Sequence, residues 1–138
     1  MTKNILLIDD DLDLLPSMIT LLEEMSNYKV FGANNGAQGL EMAVEKRPDC
    51  IVVDVKMPEL DGYQFVRAMR GDNTTASIPL VILSALAQDK NKFVGLLSGA
   101  DYYLIKPVSP RDLLQTVDSA MQVTEDDRIR RMREFSEQ

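Results

Sequence analysis

Four places in the 138-residue chain combine reactive side chains with short apolar runs: the triplet Asp9-Asp10-Asp11, then Asp54, Ser84 and Lys106. The triplet follows Ile5–Ile8, Asp54 follows Cys50–Val53, Ser84 follows Leu80–Leu83, and Lys106 follows Tyr102–Ile105. Any one of these aspartates alone reads as a turn or helix-cap residue; acids, a hydroxyl and an amine that all sit at strand ends do not. Clustered carboxylates repel one another, so a site built from them needs a compensating cation. Hard oxygen ligands with room for water suit Mg²⁺, which keeps much of its hydration and commonly binds one or two carboxylates together with a phosphate. Asp10 and Asp54 lie 44 residues apart, and Asp54 and Lys106 lie 52 apart, so only a fold can assemble them.

The elements that must do so are legible as alternating short apolar runs and longer amphipathic stretches. Five strands are expected, over Ile5–Ile8, Lys29–Ala33, Cys50–Val55, Leu80–Ser84 and Tyr102–Ile105. The first, third and fourth lack polar alternation and read as central strands covered on both faces. Between the strands, apolar residues recur at helical spacing. Leu14, Leu15, Met18, Leu21, Leu22 and Met25 are expected to form one buried face, Ala37, Leu40 and Val44 a second, and Phe65, Val66 and Met69 a third. Phe93, Val94 and Leu97 mark a fourth helix, and Leu113, Leu114, Val117 and Met121 a fifth. With Asp13 as cap, Pro16 falls in the first helical turn, where its missing N–H costs little. Alternating units of this kind predict an α/β fold: a doubly wound, five-stranded parallel sheet with five helices on both faces, a three-layer sandwich. In such sheets sites form beyond the carboxyl ends of the strands, at the topological switch point.

Composition narrows the function classes. The chain has no histidine, which removes histidine-ligated metals, histidine-based triads and phosphohistidine chemistry on this chain. Its net charge of −7 works against binding a phosphate backbone, and the arginines near the carboxyl terminus are interleaved with acids. Cys50, the single cysteine, lies in an apolar run and reads as a small core hydrophobe. No apolar run approaches the ~18 residues needed to span a bilayer, and a cytoplasmic location is expected.

The motifs Ile5-Leu6-Leu7-Ile8-Asp9-Asp10-Asp11, Asp54-Val55-Lys56-Met57-Pro58-Glu59-Leu60-Asp61-Gly62, Ile78-Pro79-Leu80-Val81-Ile82-Leu83-Ser84-Ala85 and Gly99-Ala100-Asp101-Tyr102-Tyr103-Leu104-Ile105-Lys106-Pro107 resemble, in this order, those of a response-regulator receiver domain. The resemblance implies a flavodoxin-like receiver domain over residues 1–122; residues 123–138 are expected to form a helical extension or linker. It implies that Asp54 accepts a phosphoryl group from a sensor histidine kinase, a phosphotransfer protein or a small acyl phosphate. Asp10, Asp54 and the backbone carbonyl of Lys56 would ligate Mg²⁺, with Asp9 acting mainly through water. Lys106 and Ser84 would contact the phosphoryl oxygens, and Tyr103 would change its packing in response. The responsive face would be the fourth helix, fifth strand and fifth helix, meeting an effector or output domain, or a second copy in a phosphorylation-dependent dimer. Lys106-Pro107 resembles the family's cis-peptide site. The chemistry agrees: phosphoryl transfer depends on positioning and on neutralising charge over the equatorial oxygens, which one divalent cation and one lysine supply. A carboxylate is also a nucleophile without a histidine partner.

Lys56 and Leu86, two residues beyond Asp54 and Ser84, are positions expected to border the phosphoryl group and tune its hydrolysis. In the tail, Glu125-Asp126-Asp127 precede Arg128, Arg130, Arg131 and Arg133, and the pairs Asp126–Arg130 and Asp127–Arg131 have helical i,i+4 spacing. Ile129, Met132 and Phe135 give that helix a small apolar edge; it reads either as a solvated tail or as a linker or dimer helix. Two other functions compete. Leu6–Asp11 also resembles the Asp-x-Asp nucleophile motif of haloacid-dehalogenase-type phosphatases, but that family needs another acidic pair downstream of its lysine and leaves Asp54 unexplained. A receiver-like binding module that takes no phosphate would be expected to have lost an acid or the lysine.

Overall fold

Along every strand the apolar side chains alternate by face, and this sorts the core into two parts, as seen in a computed structural model that describes residues 2–85 and 99–136. The strands are β1 (Asn4–Ile8), β2 (Lys29–Ala33), β3 (Cys50–Asp54), β4 (Leu80–Ser84) and β5 (Tyr102–Ile105). They form one parallel sheet in the order β2-β1-β3-β4-β5. The described helices are α1 (Leu14–Glu24), α2 (Gly36–Lys46), α3 (Gly62–Arg70), α4 (Pro110–Ala120) and α5 (Glu125–Ser136). Leu6, Ile8, Ile51, Val53 and Ile82 face α2 and α3, packing with Ala43, Phe65, Val66 and Met69. Ile5, Leu7, Val52, Val81 and Leu83 face α1 and α4, packing with Leu15, Leu22, Leu113 and Val117. The expected doubly wound sandwich is therefore what forms. The helix expected around Phe93, Val94 and Leu97 lies outside the described residues, as do Leu86 and the side chain of Phe135.

Two of the expected buried faces are narrower or rotated. On α1 only Leu15 and Leu22 are buried, while Leu14, Leu21 and Met25 are at least 40% exposed. The apolar stripe there is wider than the sheet can cover. On α2 the buried positions are Gly36, Gly39 and Ala43, with Leu40 half-buried and Val44 exposed. Small residues win that face because the helix sits close to the sheet: a Cβ on Gly39 would fall 2.5 Å from Ile8 Cδ1 and 3.1 Å from the Phe65 ring. Asp13 occupies the N-cap position of α1, as expected, but makes no side-chain cap. Asp11 does that work, accepting from the amides of Asp13 and Leu14 at 3.0 and 3.1 Å. No helix among the described residues is long and apolar enough to cross a membrane.

Candidate functional site

The chain leaves β1 toward β2 on one side and returns to β3 on the other, so the order of the sheet reverses between β1 and β3. Asp9 and Asp10 follow β1, and Asp54 closes β3, which puts all three at that switch point. Their carboxylate oxygens lie within 4.8 Å of one another, with Asp9 and Asp54 buried and Asp10 exposed. Lys106, one residue past β5, brings its Nζ to 2.7 Å from Asp54 Oδ2 and 3.6 Å from Asp9 Oδ2. Burial of the ammonium works against its charge, but the hydrogen bond to Asp54 and the charges of Asp54 and Asp9 outweigh it. The Lys106 pKa is therefore raised. The Lys106–Pro107 peptide is cis.

Backbone contacts hold the Asp9 and Asp54 carboxylates in place. Asp9 Oδ1 accepts from the amide of Asp11 at 2.9 Å, which turns the chain toward α1, and Asp54 Oδ1 accepts from the amide of Lys56 at 3.3 Å. The amide of Val55 donates to Leu83 on β4, and Val55 in turn accepts from Gly62 at the start of α3. That approach needs a glycine: a Cβ on Gly62 would lie 2.6 Å from the Asp54 carbonyl oxygen and 2.8 Å from Val55 Cα. Asp61 and Gln64 close a reciprocal capping box over the same helix start. Ser84, buried, lies on β4 one position beyond Leu83, the residue that faces Asp54 in the register. Lys106 donates its backbone N–H to the Ser84 carbonyl at 2.7 Å.

The fold thus brings together Asp9, Asp10, Asp54, Ser84 and Lys106. Lys56 is adjacent, with an exposed side chain. Tyr103 packs with the α2 and α3 core, whereas Tyr102 packs with the opposite core, as their alternation requires. Sequence reasoning did not anticipate Tyr63 on α3, whose hydroxyl pKa is raised by burial and then by its hydrogen bond to Tyr103. No periodicity could have flagged a hydroxyl pair between elements 40 residues apart. The residues present suit a hard divalent cation: three carboxylates converge, one of them facing solvent where water ligands could sit.

An acidic cluster and a lysine thus meet at the switch point of a five-stranded parallel α/β domain. The chain belongs to the response regulator receiver domain family, whose model matches residues 5–118. It is 38% identical over 133 residues to the DNA-binding dual master transcriptional regulator RpaA of Synechocystis, covering 96% of this chain and 54% of that protein. It is 34% identical over 122 residues to the phosphate regulon transcriptional regulatory protein PhoB of Pseudomonas aeruginosa, covering 88% and 53%. The chain spans about half the length of these relatives. Among solved structures it resembles the receiver domain of Francisella response regulator 1452, with a TM-score of 0.81 and 34% identity over 88% of this chain and 98% of that one. It also resembles the Vibrio cholerae chemotaxis protein CheY4, with a TM-score of 0.79 and 29% identity over 87% and 99%.

Proposed function

We propose that this chain is a phosphorylation-dependent signalling switch in which Asp54 accepts a phosphoryl group from a partner histidine kinase, a phosphotransfer protein or a small acyl phosphate. The observation that carries this reading is the 2.7 Å contact between Lys106 and Asp54 beside two further carboxylates. A carboxylate oxygen of Asp54 attacks phosphorus, a new O–P bond forms, and the bond from phosphorus to the donor's nitrogen or oxygen breaks. The leaving group departs with the bonding electrons. Asp10, Asp54 and the Lys56 carbonyl are the residues that would hold Mg²⁺, with Asp9 behind them through water. The ion would supply charge neutralisation for the phosphoryl oxygens when bound. Lys106, already at the acceptor oxygen, pairs with the incoming phosphoryl group, and Ser84 hydrogen-bonds it from the neighbouring strand. Water later cleaves the acyl phosphate, and the side chains of Lys56 and Leu86 limit its approach. The chain is thus a phosphoacceptor that catalyses its own modification and slow reversal.

The receiver unit on this reading is residues 1–122, with 123–138 as its extension. A donor protein must reach Asp54 from solvent, and the rim offers it an apolar seat. A cavity of about 410 Å³ lined by Leu7, Leu14, Met18, Pro107 and Val108, with Asp9 and Lys106 in its wall, adjoins the exposed edge of α1. Output would pass through β5, α4 and the segment between β4 and β5 to an effector, an output domain or a second copy of the chain. Incubating wild type and Asp54→Asn with Mg²⁺ and acetyl phosphate, followed by intact-mass analysis, tests the reading. One phosphoryl group on wild type alone supports it. Continuous phosphate release that depends on Asp9 would favour the phosphatase alternative, and a wild type unmodified by acetyl phosphate or by a phosphohistidine donor would favour a binding module.

A further inference from the structure

The amino ends of β4 and β5 are tied together by α5, the helix that follows the receiver core. Asp101, the residue before β5, is 3% exposed. Its carboxylate accepts from the Leu80 amide at 2.8 Å, from Arg70 Nη2 at 3.0 Å, and from Arg128 Nε and Nη2 at 2.7 and 3.1 Å. Arg128 Nη2 also donates to the Ser77 carbonyl at 3.2 Å, in the segment leading into β4. Arg131 donates to the Asp101 carbonyl at 2.8 Å and lies over the Tyr102 ring, 5.2 Å from its centroid. One guanidinium of α5 therefore spans the approach to β4 and the start of β5. These are the same two strands whose carboxyl ends carry Ser84 and Lys106.

The attachment is made of polar contacts that can be released. The Arg128 side chain, 16% exposed, is covered mainly through its polar contacts, while Ile129 and Met132 are 46% and 47% exposed, so apolar burial adds little to docking. If Arg128 leaves, Asp101 keeps Arg70 and the Leu80 amide, so no buried carboxylate is stranded without a partner. Burial disfavours the charged form of Arg70, Asp101 supports it, and the like charge of Arg128 opposes it, leaving its pKa lowered. Docking thus places a second cation where one is already satisfied.

We propose that α5 is a releasable latch that reads the offset between β4 and β5, docked in the unmodified chain and freed when a phosphoryl group on Asp54 repositions the Ser84 and Lys106 ends of those strands. This rests on the phosphoacceptor reading above. The bonds of Arg128 to Asp101 and to Ser77, the latter the longer at 3.2 Å, join the start of β5 to the segment leading into β4, so a small displacement there weakens the docked state while the ladder between the strands holds. The latch is the two-state element, and the phosphoryl group biases it. Release uncovers Tyr102 and the amino end of the edge strand β5.

Hydrogen exchange read by mass spectrometry tests this on the full chain, treated with Mg²⁺ and acetyl phosphate and checked for phosphoryl content by intact mass. The amides of residues 128–134 should exchange about fivefold or more faster in the phosphorylated chain, with β1 and β3 unchanged. Arg128→Ala/Arg131→Ala should show the fast α5 exchange without phosphate and the same slow exchange in β1 and β3; faster exchange in those strands too would make α5 an integral part of the core and overturn the latch. Asp54→Asn should stay slow throughout. A chain that gains the phosphoryl group while α5 exchange stays within about twofold of the untreated protein overturns the inference alone. A chain that takes no phosphoryl group either from acetyl phosphate or from a phosphohistidine donor overturns the parent reading, and the latch with it.

Discussion

Replacing Asp101 by alanine should remove a large share of the stability of this domain, although Asp101 lies at the opposite end of the sheet from Asp54. Its side chain is 1% exposed and accepts four hydrogen bonds, three of them from arginines. The alanine variant leaves the Leu80 amide without its acceptor inside the protein, at about 1–3 kcal/mol. It also leaves two largely buried guanidinium groups facing each other with no anion between them. Arg70 keeps the carbonyls of Gly99, Ala76 and Ile78, and Arg128 can swing to solvent, so the loss is held near the 3–5 kcal/mol typical of breaking a buried pair. Against a total of about 5–15 kcal/mol for a domain, that is a large share. Equilibrium urea unfolding followed by circular dichroism reads it: with a slope of about 1–3 kcal/mol/M, the midpoint should fall by roughly 1–5 M at unchanged slope. Asp101→Asn, which keeps an acceptor for Leu80, should fall by less. A loss under about 1 kcal/mol in Asp101→Ala would refute the view that this carboxylate organises the amino end of the sheet.

Three further expectations follow from the same geometry. Gly62→Ala drives a methyl into the backbone that carries Asp54, and should cost about 1–3 kcal/mol in urea unfolding while slowing phosphoryl uptake in the acetyl phosphate assay. Lys56→Asn should lose phosphate several-fold faster than wild type, followed by the decay of phosphorylated protein after acetyl phosphate is removed; equal or slower loss sinks the role given to that side chain. Tyr28, whose hydroxyl donates to Asp118, has its pKa pushed up to about 12 from 10.0 by burial, then by that hydrogen bond and the carboxylate charge. The folded chain holds this proton more tightly than the unfolded one, so the contribution is complete below about pH 10 and is lost as the pH rises toward about 12. The unfolding midpoint of Tyr28→Phe should therefore fall less steeply than that of wild type across that window.

Much of this is legible in the amino-acid sequence. β2, β4 and β5 run over the residues their apolar runs predict, and β1 and β3 differ by one residue, at the amino end of β1 and the carboxyl end of β3, because ladder pairing rather than hydropathy sets where a strand begins and ends. The site was legible for the same reason: Asp9, Asp54, Ser84 and Lys106 each interrupt an apolar run at its carboxyl end, and a parallel sheet gathers those ends. What the sequence hid were choices made by packing. α2 buries glycines and an alanine in place of Ala37 and Val44, since close approach to Ile8 and Phe65 rewards small side chains over hydrophobic ones. The tail was read from local charge spacing, which predicts Asp126–Arg130 and Asp127–Arg131. Arg130 instead pairs with Asp127 at 2.9 Å, and Arg131 turns to the Asp101 carbonyl. For Arg131 a part-buried backbone carbonyl across the fold took the place of Asp127, because a charge-assisted hydrogen bond is stronger where water is excluded.

The central claim is that a phosphoryl group arrives on Asp54 and on no other residue. The most direct test is to phosphorylate the full chain with Mg²⁺ and acetyl phosphate or a phosphohistidine donor, trap the acyl phosphate by borohydride reduction, and map the altered residue by peptide mass spectrometry. The account predicts a single modified position at Asp54 and no modified peptide in Asp54→Asn. Trapping at Asp9 or Asp10, or full modification of the Asp54→Asn chain, would contradict it.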